Sequence, residues 1–313
     1  MSAIGQPSSI SVVMFVRNAG ATVEQAMQSV IQQDGPLAEL MVLDGGSTDG
    51  TLDIVKRYEK QIAYWRSYPD GGPVYAINEG IRRATGDVIC LLPADDWLEP
   101  GATEKIAREF AADPDLDILS CGTRIVRFDA GGTMHVDSIF TEPQILEFSM
   151  ENIVRFPLTA ARFIRRRVYA RFGAHDSHYR TTSDLDFLVR ICAAKLKSRV
   201  LPDLLYTYRR HPGSSTISGN PEMVLRMMQD NVAIACSHLQ NRALEARDRK
   251  ALLGLHGRCS ARLAWMLASR RRPGEAAVIL FQAIRMNWRW PFWLPFWIAG
   301  GWVDAWRFSG TRR

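Results

Sequence analysis

The strongest constraint on the fold is a regular alternation of short apolar runs and helical patterns in the first third of the chain. The strands are predicted at residues 10–16, 39–44, 62–67 and 88–92, and the helices at residues 22–33, 51–60, 75–84 and 102–112. Parallel strands joined by crossover helices produce this alternation. It therefore predicts an α/β fold that begins with a parallel sheet.

Polar side chains stand at the end of each of these four strands. They are Arg17 and Asn18 after the first, Asp44 after the second, Asp70 after the third, and Asp95 with Asp96 after the fourth. Ligands of parallel α/β sheets bind at the carboxyl ends of the strands. The sequence therefore predicts a binding site at this edge.

The adjacent carboxylates of Asp95 and Asp96 repel each other. Such a pair is stable when it is solvated, when it caps a helix, or when it faces a cation. Pro100 and Gly101 mark a helix start just beyond it, so capping is one interpretation. The pattern alone leaves solvation and a cation site as the other two.

The alternation changes after about residue 117. Residues 116–140 predict two strands around a turn at 129–132, which makes the sheet mixed. A helix is predicted near 184–195, a strand at 198–211, and mostly helix from Pro221 onward. We expect a catalytic domain at residues 1–218, with a first half at about 8–116 and a second at about 117–218, followed by a helical region at 219–313.

The net charge of +6 and the pI near 9.2 permit phosphate-bearing, nucleic-acid or anionic membrane partners. No nucleic-acid motif is recognisable, so we expect no nucleic-acid partner. The five cysteines show no CxxC spacing, which argues against a metal cluster or a disulfide framework. The chain start lacks signal-peptide features and no run of about 20 apolar residues occurs, so we expect a cytoplasmic protein.

Five stretches closely resemble the motifs of the family 2 glycosyltransferases, over roughly residues 8–212. They are "SVVMFVRNAGATVEQAMQSVIQQ", "ELMVLDGGSTDGT", "PDGGPVYAINEGIRRATGD", "LLPADDWLEPGA" and "TSDLDFLVRI". The resemblance implies a GT-A fold, which is a Rossmann-like mixed sheet flanked by helices. It also implies an inverting enzyme that uses a nucleotide-diphospho-sugar donor.

The resemblance implies a set of donor-binding residues: Val16, Arg17, Asn18, Asp44, Asp70, Asn78, Asp95 and Arg210. The sequence departs from the family at two positions. Gly45 stands where many members have a second acid, and Tyr75 replaces a frequent Asp. Asn78 has an alternative role, in which it bonds backbone within its own helix.

The resemblance also implies the metal site and the base. Asp96, with an exposed carboxylate, is expected to bind Mn²⁺ or Mg²⁺ directly, and Asp95 to contact ribose or a water on the metal. His211 is expected to bind the metal or the diphosphate, with Arg209 or Arg210 supplying positive charge. Asp184 matches the catalytic base, and one of Asp184 and Asp186 is expected to be only a helix cap.

Six of the nine tryptophans lie between Trp288 and Trp306, interspersed with arginine. Prolines and paired glycines prevent a continuous spanning helix there, whereas Trp with Arg suits the interface of an anionic membrane. Packing on the catalytic domain, or an oligomer contact, is the alternative for this aromatic segment at residues 288–308.

Together these features predict a metal-dependent inverting transferase, peripheral on the inner face of the cell membrane, acting on a glycan or lipid-linked acceptor. A non-catalytic nucleotide-sugar-binding protein is the main alternative, and the departures at Gly45 and Tyr75 favour it. A nucleic-acid-binding protein with metal-assisted phosphoryl chemistry is a third hypothesis.

Overall fold

The computed structural model describes residues 8–155, 161–211 and 220–288. The strands are β1 (Ile10–Val16), β2 (Leu37–Asp44), β3 (Tyr64–Ser67), β4 (Val88–Pro93), β5 (Trp97–Leu98), β6 (Ile118–Phe128), β7 (Met134–Phe140), β8 (Arg162–Arg165) and β9 (Ser198–Arg209). The helices are α1 (Val23–Ile31), α2 (Thr51–Arg57), α3 (Pro73–Arg83), α4 (Ala102–Ala112), α5 (Pro143–Leu146), α6 (Met150–Arg155), α7 (Arg166–Phe172), α8 (Ser183–Ala193), α9 (Pro221–Leu239), α10 (Ala246–Ser269) and α11 (Pro273–Met286). A short 3₁₀ turn spans Glu59–Gln61.

The first four strands lie in the order β3-β2-β1-β4 and are all parallel. Val16 at the end of β1 pairs with Asp44 at the end of β2, and Asp44 pairs with Ser67 at the end of β3. The prediction of a parallel sheet is confirmed, and the four polar strand ends lie at one edge. The helix and strand bounds differ from the predicted ones by a few residues.

The remainder of the sheet is mixed, as predicted. The sheet continues from β4 through β8, β6 and β9 to β5, with β7 on β6. β8 is antiparallel to both β4 and β6, while β9 is parallel to β6. The two strands around the 129–132 turn are β6 and β7.

Strand β8 was not predicted, because it lies in the basic run at residues 162–171. The structure provides partners within the protein for two of these arginines. Arg165 donates to the Leu116 and Phe110 carbonyl oxygens at 3.2 and 2.8 Å, and Arg167 forms a 2.8 Å ion pair with Asp117. These two guanidiniums are therefore satisfied by the protein itself, and they do not support a role for this run as a polyanion-binding patch.

Helices cover both faces of the sheet and enclose two apolar clusters. One cluster contains Val13, and the other contains Val12, because successive side chains of β1 point to opposite faces. α3 lies close against β1, since a Cβ at Gly80 would come within 2.2 Å of the Val13 Cγ1 atom. Only glycine at this motif position permits that approach without a shift in the backbone or in Val13.

The C-terminal helices α9 and α10 share the first cluster with α6 and α8. Leu252, Leu255 and Leu263 of α10 are all buried there. The predicted helical region is thus confirmed. All five cysteines are free thiols. Within the described residues no helix has the length and apolar character needed to cross a bilayer. Of the aromatic segment 288–308, residues 289–308 lie outside the described part of the chain.

Candidate active site at the carboxyl edge of the sheet

Asp44 lies at the end of β2 and is 1% exposed. Its carboxylate accepts from the Ser47 backbone N–H at 2.9 Å and from the hydroxyls of Ser47 and Ser67. A buried carboxylate needs such donors, since an unpaired charge in the interior is costly. Asp44 therefore holds the loop after β2 against the end of β3.

The loops after β1 and β2 are bonded to each other. The Asn18 N–H donates to Ser47 Oγ at 2.7 Å, and the Thr48 N–H donates to Asn18 Oδ1 at 2.9 Å. Asn18 has a φ of 52°, a left-handed conformation that Asn tolerates better than most residues. The Gly45 N–H donates to the Val16 carbonyl at 2.9 Å. The structure thus brings Val16, Asn18 and Asp44 into one loop pair.

Arg17 and Asp70 meet on either side of Gly45. A Cβ at position 45 would lie 3.4 Å from Asp70 Oδ1 and 3.6 Å from Arg17 Cδ. A carboxylate at position 45 would therefore stand against that of Asp70. The departure from the family at Gly45 keeps two like charges apart, and Asp70 supplies an acid at the same place.

Behind Asp70 lies a buried guanidinium, that of Arg66. It pairs with Asp70 at 2.8 Å and with Glu79 at 3.0 Å, and it donates to the Asp44 carbonyl at 2.6 Å. This network lies along an open cleft of about 560 Å³. The cleft is lined by the following residues: Arg66, Tyr68, Pro69, Asp70, Tyr75, Asn78, Glu79, Arg82 and Ser177.

Glu79 is the centre of this network. Its carboxylate accepts from the Tyr64 and Tyr68 hydroxyls at 2.9 and 3.0 Å and from Arg66 and Arg83 at 3.0 Å each. Burial acts to raise the pKa of Glu79, but these four donors outweigh it and lower the pKa to about 2. The folded state therefore favours the ionised carboxylate more than the unfolded chain does.

We predict that Glu79→Gln lowers the free energy of unfolding by about 2 kcal/mol at pH 7. Because the folded pKa of Glu79 is depressed, its contribution is present above about pH 4.5 and is lost as the pH falls toward 2. Urea unfolding at several pH values should thus show that the free energies of unfolding of wild type and variant approach each other as the pH falls. Glu104→Gln, in the exposed pair with Arg108, is the control and should cost under about 0.5 kcal/mol. A constant difference across this pH range would contradict the assignment.

Asp96 is not exposed as the sequence suggested, and this expectation is wrong. It is 1% exposed, accepts from the Arg209 backbone N–H at 2.9 Å, and receives the Tyr206 hydroxyl. Burial raises the pKa of Asp96 to about 7. Its carboxylate thus joins the end of β4 to β9, and the protein itself supplies donors to both oxygens.

Asp95 is the open member of the acidic pair. Its side chain is 38% exposed, and its Oδ1 accepts from the Thr22 hydroxyl at 3.2 Å. The His211 Nε2 atom lies 3.2 Å from Asp95 Oδ2. The predicted pairing of the acidic motif with His211 therefore involves Asp95, and the other carboxylate supports it from behind.

The side chains of Asp95 and His211 suit a divalent cation that also binds a diphosphate. Among the described residues no group of three or more His, Cys, Asp or Glu side chains is arranged to hold a metal ion. Mg²⁺ in nucleotide sites is bound by one or two protein ligands, substrate phosphates and water. One exposed carboxylate beside an imidazole satisfies that requirement. The remaining coordination positions are then left to the diphosphate of the sugar donor and to water.

Of the two arginines considered for the charge beside His211, Arg209 lies closer to the acidic pair. Arg210 forms a 2.8 Å ion pair with Asp137 on β7. The Arg209 guanidinium lies 5.3 Å from the Trp97 ring centroid. Burial lowers the pKa of Arg209, and the charges of Asp95 and Asp96 oppose that shift. Successive side chains of an extended segment point to opposite faces, which separates the two arginines.

Asp184 lies half-buried in the first turn of α8, and its Oδ1 accepts from the Leu185 N–H at 2.8 Å. Buried Arg162 of β8 lies within electrostatic range of Asp184. Burial lowers the pKa of Arg162 to about 10, and nearby anionic groups including Asp184 oppose this shift. Asp184 therefore lies at a helix N-terminus with a buried cation nearby, two surroundings that are favourable for a carboxylate.

Asp186, the second carboxylate in the first turn of α8, is held in ion pairs. Its carboxylate accepts from Arg190 at 2.8 Å and lies 2.9 Å from the His238 Nε2 atom of α9. Burial acts to raise the pKa of Asp186, but His238 and Arg190 outweigh it and lower the pKa. Asp186 thus ties α8 to α9. The same Arg190 also donates to the Phe172 and Ala174 carbonyls.

Asn78 bonds the backbone of a distant loop, and not the backbone of its own helix as the alternative role would require. Its amide donates to the His175 carbonyl at 2.7 Å, and the His175 N–H donates to Asn78 Oδ1 at 2.9 Å. This pair of bonds fixes the loop before α8 to helix α3. Asn78 therefore connects the donor half of the sheet to the segment that leads into Asp184.

The comparisons with known proteins agree with this geometry. The family model described as glycosyl transferase family 2 matches residues 11–173. A PGL/p-HBAD biosynthesis glycosyltransferase of Mycobacterium tuberculosis is 27% identical over 226 residues, covering 69% of this chain and 83% of that protein.

Two solved structures show the same fold. The S. aureus TarS 1-349 structure has a TM-score of 0.61 at 18% identity, covering 89% of this chain and 88% of that one. The mannosyltransferase PcManGT from Pyrobaculum calidifontis, in complex with GDP-Man and Mn²⁺, has a TM-score of 0.58 at 18% identity, covering 96% and 88%. Because the family model covers more than half of the sequence on a sheet of the GT-A type, the chain belongs to glycosyl transferase family 2.

Proposed function

We propose that the chain is an inverting, metal-dependent glycosyltransferase that moves a sugar from a nucleotide-diphospho-sugar to an acceptor hydroxyl. The observation that carries the proposal is the pairing of Asp95 with His211 at the carboxyl edge of the sheet. The loop pair after β1 and β2, which includes Arg17 and Asn18, lies at the same edge as Asp70 and would receive the nucleotide with it.

Asp95 and His211 would hold Mn²⁺ or Mg²⁺, and Asp96 would support them through Tyr206 and Arg209. When bound, the cation would neutralise negative charge on the departing nucleotide diphosphate. TarS solved with UDP-GlcNAc and PcManGT solved with GDP-Man and Mn²⁺ support this donor class.

Asp184 would act as the general base. It takes the proton of the acceptor hydroxyl as that oxygen forms a bond to C1 of the sugar. The bond from C1 to the diphosphate oxygen breaks at the same time, and the nucleotide diphosphate leaves with the electron pair. Attack opposite the leaving group inverts the anomeric carbon.

The acceptor is proposed to be a glycan or a lipid-linked glycan at the inner face of the cell membrane. The name of the mycobacterial relative, which refers to PGL/p-HBAD biosynthesis, supports glycan synthesis as the setting. The Trp- and Arg-rich sequence after residue 287 supports a membrane location.

A thermal-shift screen of nucleotide-diphospho-sugars with and without Mn²⁺ tests the proposal. A donor at about 100 times its Kd stabilises the protein by about 2.7 kcal/mol, which is readily visible as a rise in Tm. Donor hydrolysis by the protein that binds is the second readout. Binding without any Mn²⁺-dependent hydrolysis or transfer would favour the non-catalytic binding protein instead.

A further inference from the structure

Positive charge is concentrated in the last fifth of the chain. Residues 249–313 contain 12 Lys and Arg but only 2 Asp and Glu, a formal charge of +10, whereas the whole chain carries +6. Residues 1–248 therefore carry a net charge of −4. An anionic partner is attracted to the C-terminal region and is repelled by the remainder, so this asymmetry orients the molecule.

Helix α11 exposes large apolar side chains on its outer side. It packs against α10 through buried Ala276 and Ala283. On the outside, Val278 is 54% exposed, Phe281 61% and Ile284 40%, and the spacing of three residues places them along one side of the helix. Polar side chains are exposed beside them, namely Glu275, Gln282 and Arg285. An apolar stripe next to a polar one is the amphipathic pattern of helices that lie in a membrane interface.

Two exposed tryptophans lie in the same part of the chain, one on α10 and one just after α11. Trp265 of α10 is 71% exposed, and Trp288, two residues after α11 ends, is 68% exposed. Indole rings are favoured at headgroup depth, where an apolar ring and a polar N–H are both accommodated. By sequence, Trp288 also begins the Trp-rich segment, so the aromatic character of this end of the chain continues beyond it.

The turn between α10 and α11 consists of three arginines. Arg270 pairs with Glu222 at 2.8 Å, and Arg272 pairs with Glu275. Arg271 is exposed, and no ion pair to it occurs among the described residues. A cation beside an apolar helix face is the arrangement that interfacial helices use on anionic lipid.

We infer that the outer face of α11, together with Trp265 and Arg271, docks on the surface of an anionic phospholipid bilayer. The inference rests on the proposed function, because docking in this way would hold the active site next to a lipid-linked acceptor. A second copy of the chain fits less well, since the region that would meet its own copy carries a charge of +10.

Co-sedimentation of the full chain with phosphatidylcholine vesicles, with and without phosphatidylglycerol, tests the inference. The double variant Val278→Gln, Phe281→Gln should lower partitioning onto the anionic vesicles by about tenfold or more. Arg271→Asn should lower it about fivefold, and Asn is chosen because it tolerates the φ of 60° there. Ile139→Gln is the matched control, because Ile139 on β7 and Val278 on α11 are both 54% exposed.

Binding that is equal on neutral vesicles, or unchanged in the double variant, would overturn the inference. So would light scattering that shows a dimer which the double variant dissociates, since the face would then meet a second copy. Melting temperatures verify that the variants are folded. Mn²⁺-dependent donor hydrolysis in solution separates the two proposals: its absence in a wild type that binds vesicles as expected contradicts the proposed function and leaves the surface standing.

Discussion

Asp184→Asn is expected to lower sugar transfer by ~10²–10⁴-fold while donor affinity stays within about threefold of wild type. Asn has nearly the size of Asp, and its oxygen can still accept the Leu185 N–H at the start of α8. It cannot take the proton of an acceptor hydroxyl. The loss should therefore appear in the turnover rate, measured as released nucleotide diphosphate at saturating donor and acceptor.

Asp186→Asn is the control for this prediction. Because Asp186 is held in ion pairs, we expect this variant to affect stability more than turnover. Asp186 pairs with Arg190 and His238 across α8 and α9, so its neutralisation should destabilise the fold by about 3 kcal/mol. Its turnover rate per folded molecule should fall less than tenfold. If Asp186→Asn abolishes transfer with the fold intact and Asp184→Asn spares it, the base has been placed two residues too early.

The parallel half of the fold could be predicted because its signals are local. Each strand from β1 to β4 is a short apolar run, and the crossover helices between them have clear periodicity. The polar residues at the strand ends then have to share an edge, whatever the details of packing. The shared edge of Arg17, Asn18 and Asp44 followed from that rule alone, whereas the hydrogen bonds between their loops did not.

Strand β8 could not be predicted, because its signal depends on distant partners. The charge of Arg165 would normally argue against an interior strand. It is accommodated because the Leu116 and Phe110 carbonyl oxygens lie where its guanidinium reaches. A local pattern does not contain those positions, so this strand could not be recognised from its own residues.

The roles within the acidic pair could not be assigned from sequence for a related reason. Two adjacent residues after a strand point in different directions, and which one meets water depends on what covers the other. Tyr206 and the Arg209 backbone cover Asp96, more than 100 residues along the chain. Asp95 remains open to solvent beside His211.

This division of roles yields the second large prediction. Asp95→Asn is expected to weaken Mn²⁺-dependent binding of a nucleoside diphosphate by about 100-fold, since a charged ligand contact is worth about 1.5–3 kcal/mol and the neutral amide is a poor cation ligand. Isothermal titration calorimetry with UDP and with GDP, in the presence and absence of Mn²⁺, measures the effect on whichever nucleotide the wild type binds.

Asp96→Asn should change that affinity by less than about fivefold, because the amide can replace the carboxylate in both of its contacts. Its oxygen can accept the Arg209 N–H, and its NH₂ group can donate to the Tyr206 hydroxyl. The charge lost is one that burial already disfavours, as the raised pKa of about 7 for Asp96 indicates. The opposite result, in which Asp96→Asn removes the Mn²⁺ dependence and Asp95→Asn preserves it, would mean that the donor draws Asp96 away from Tyr206 to reach the cation.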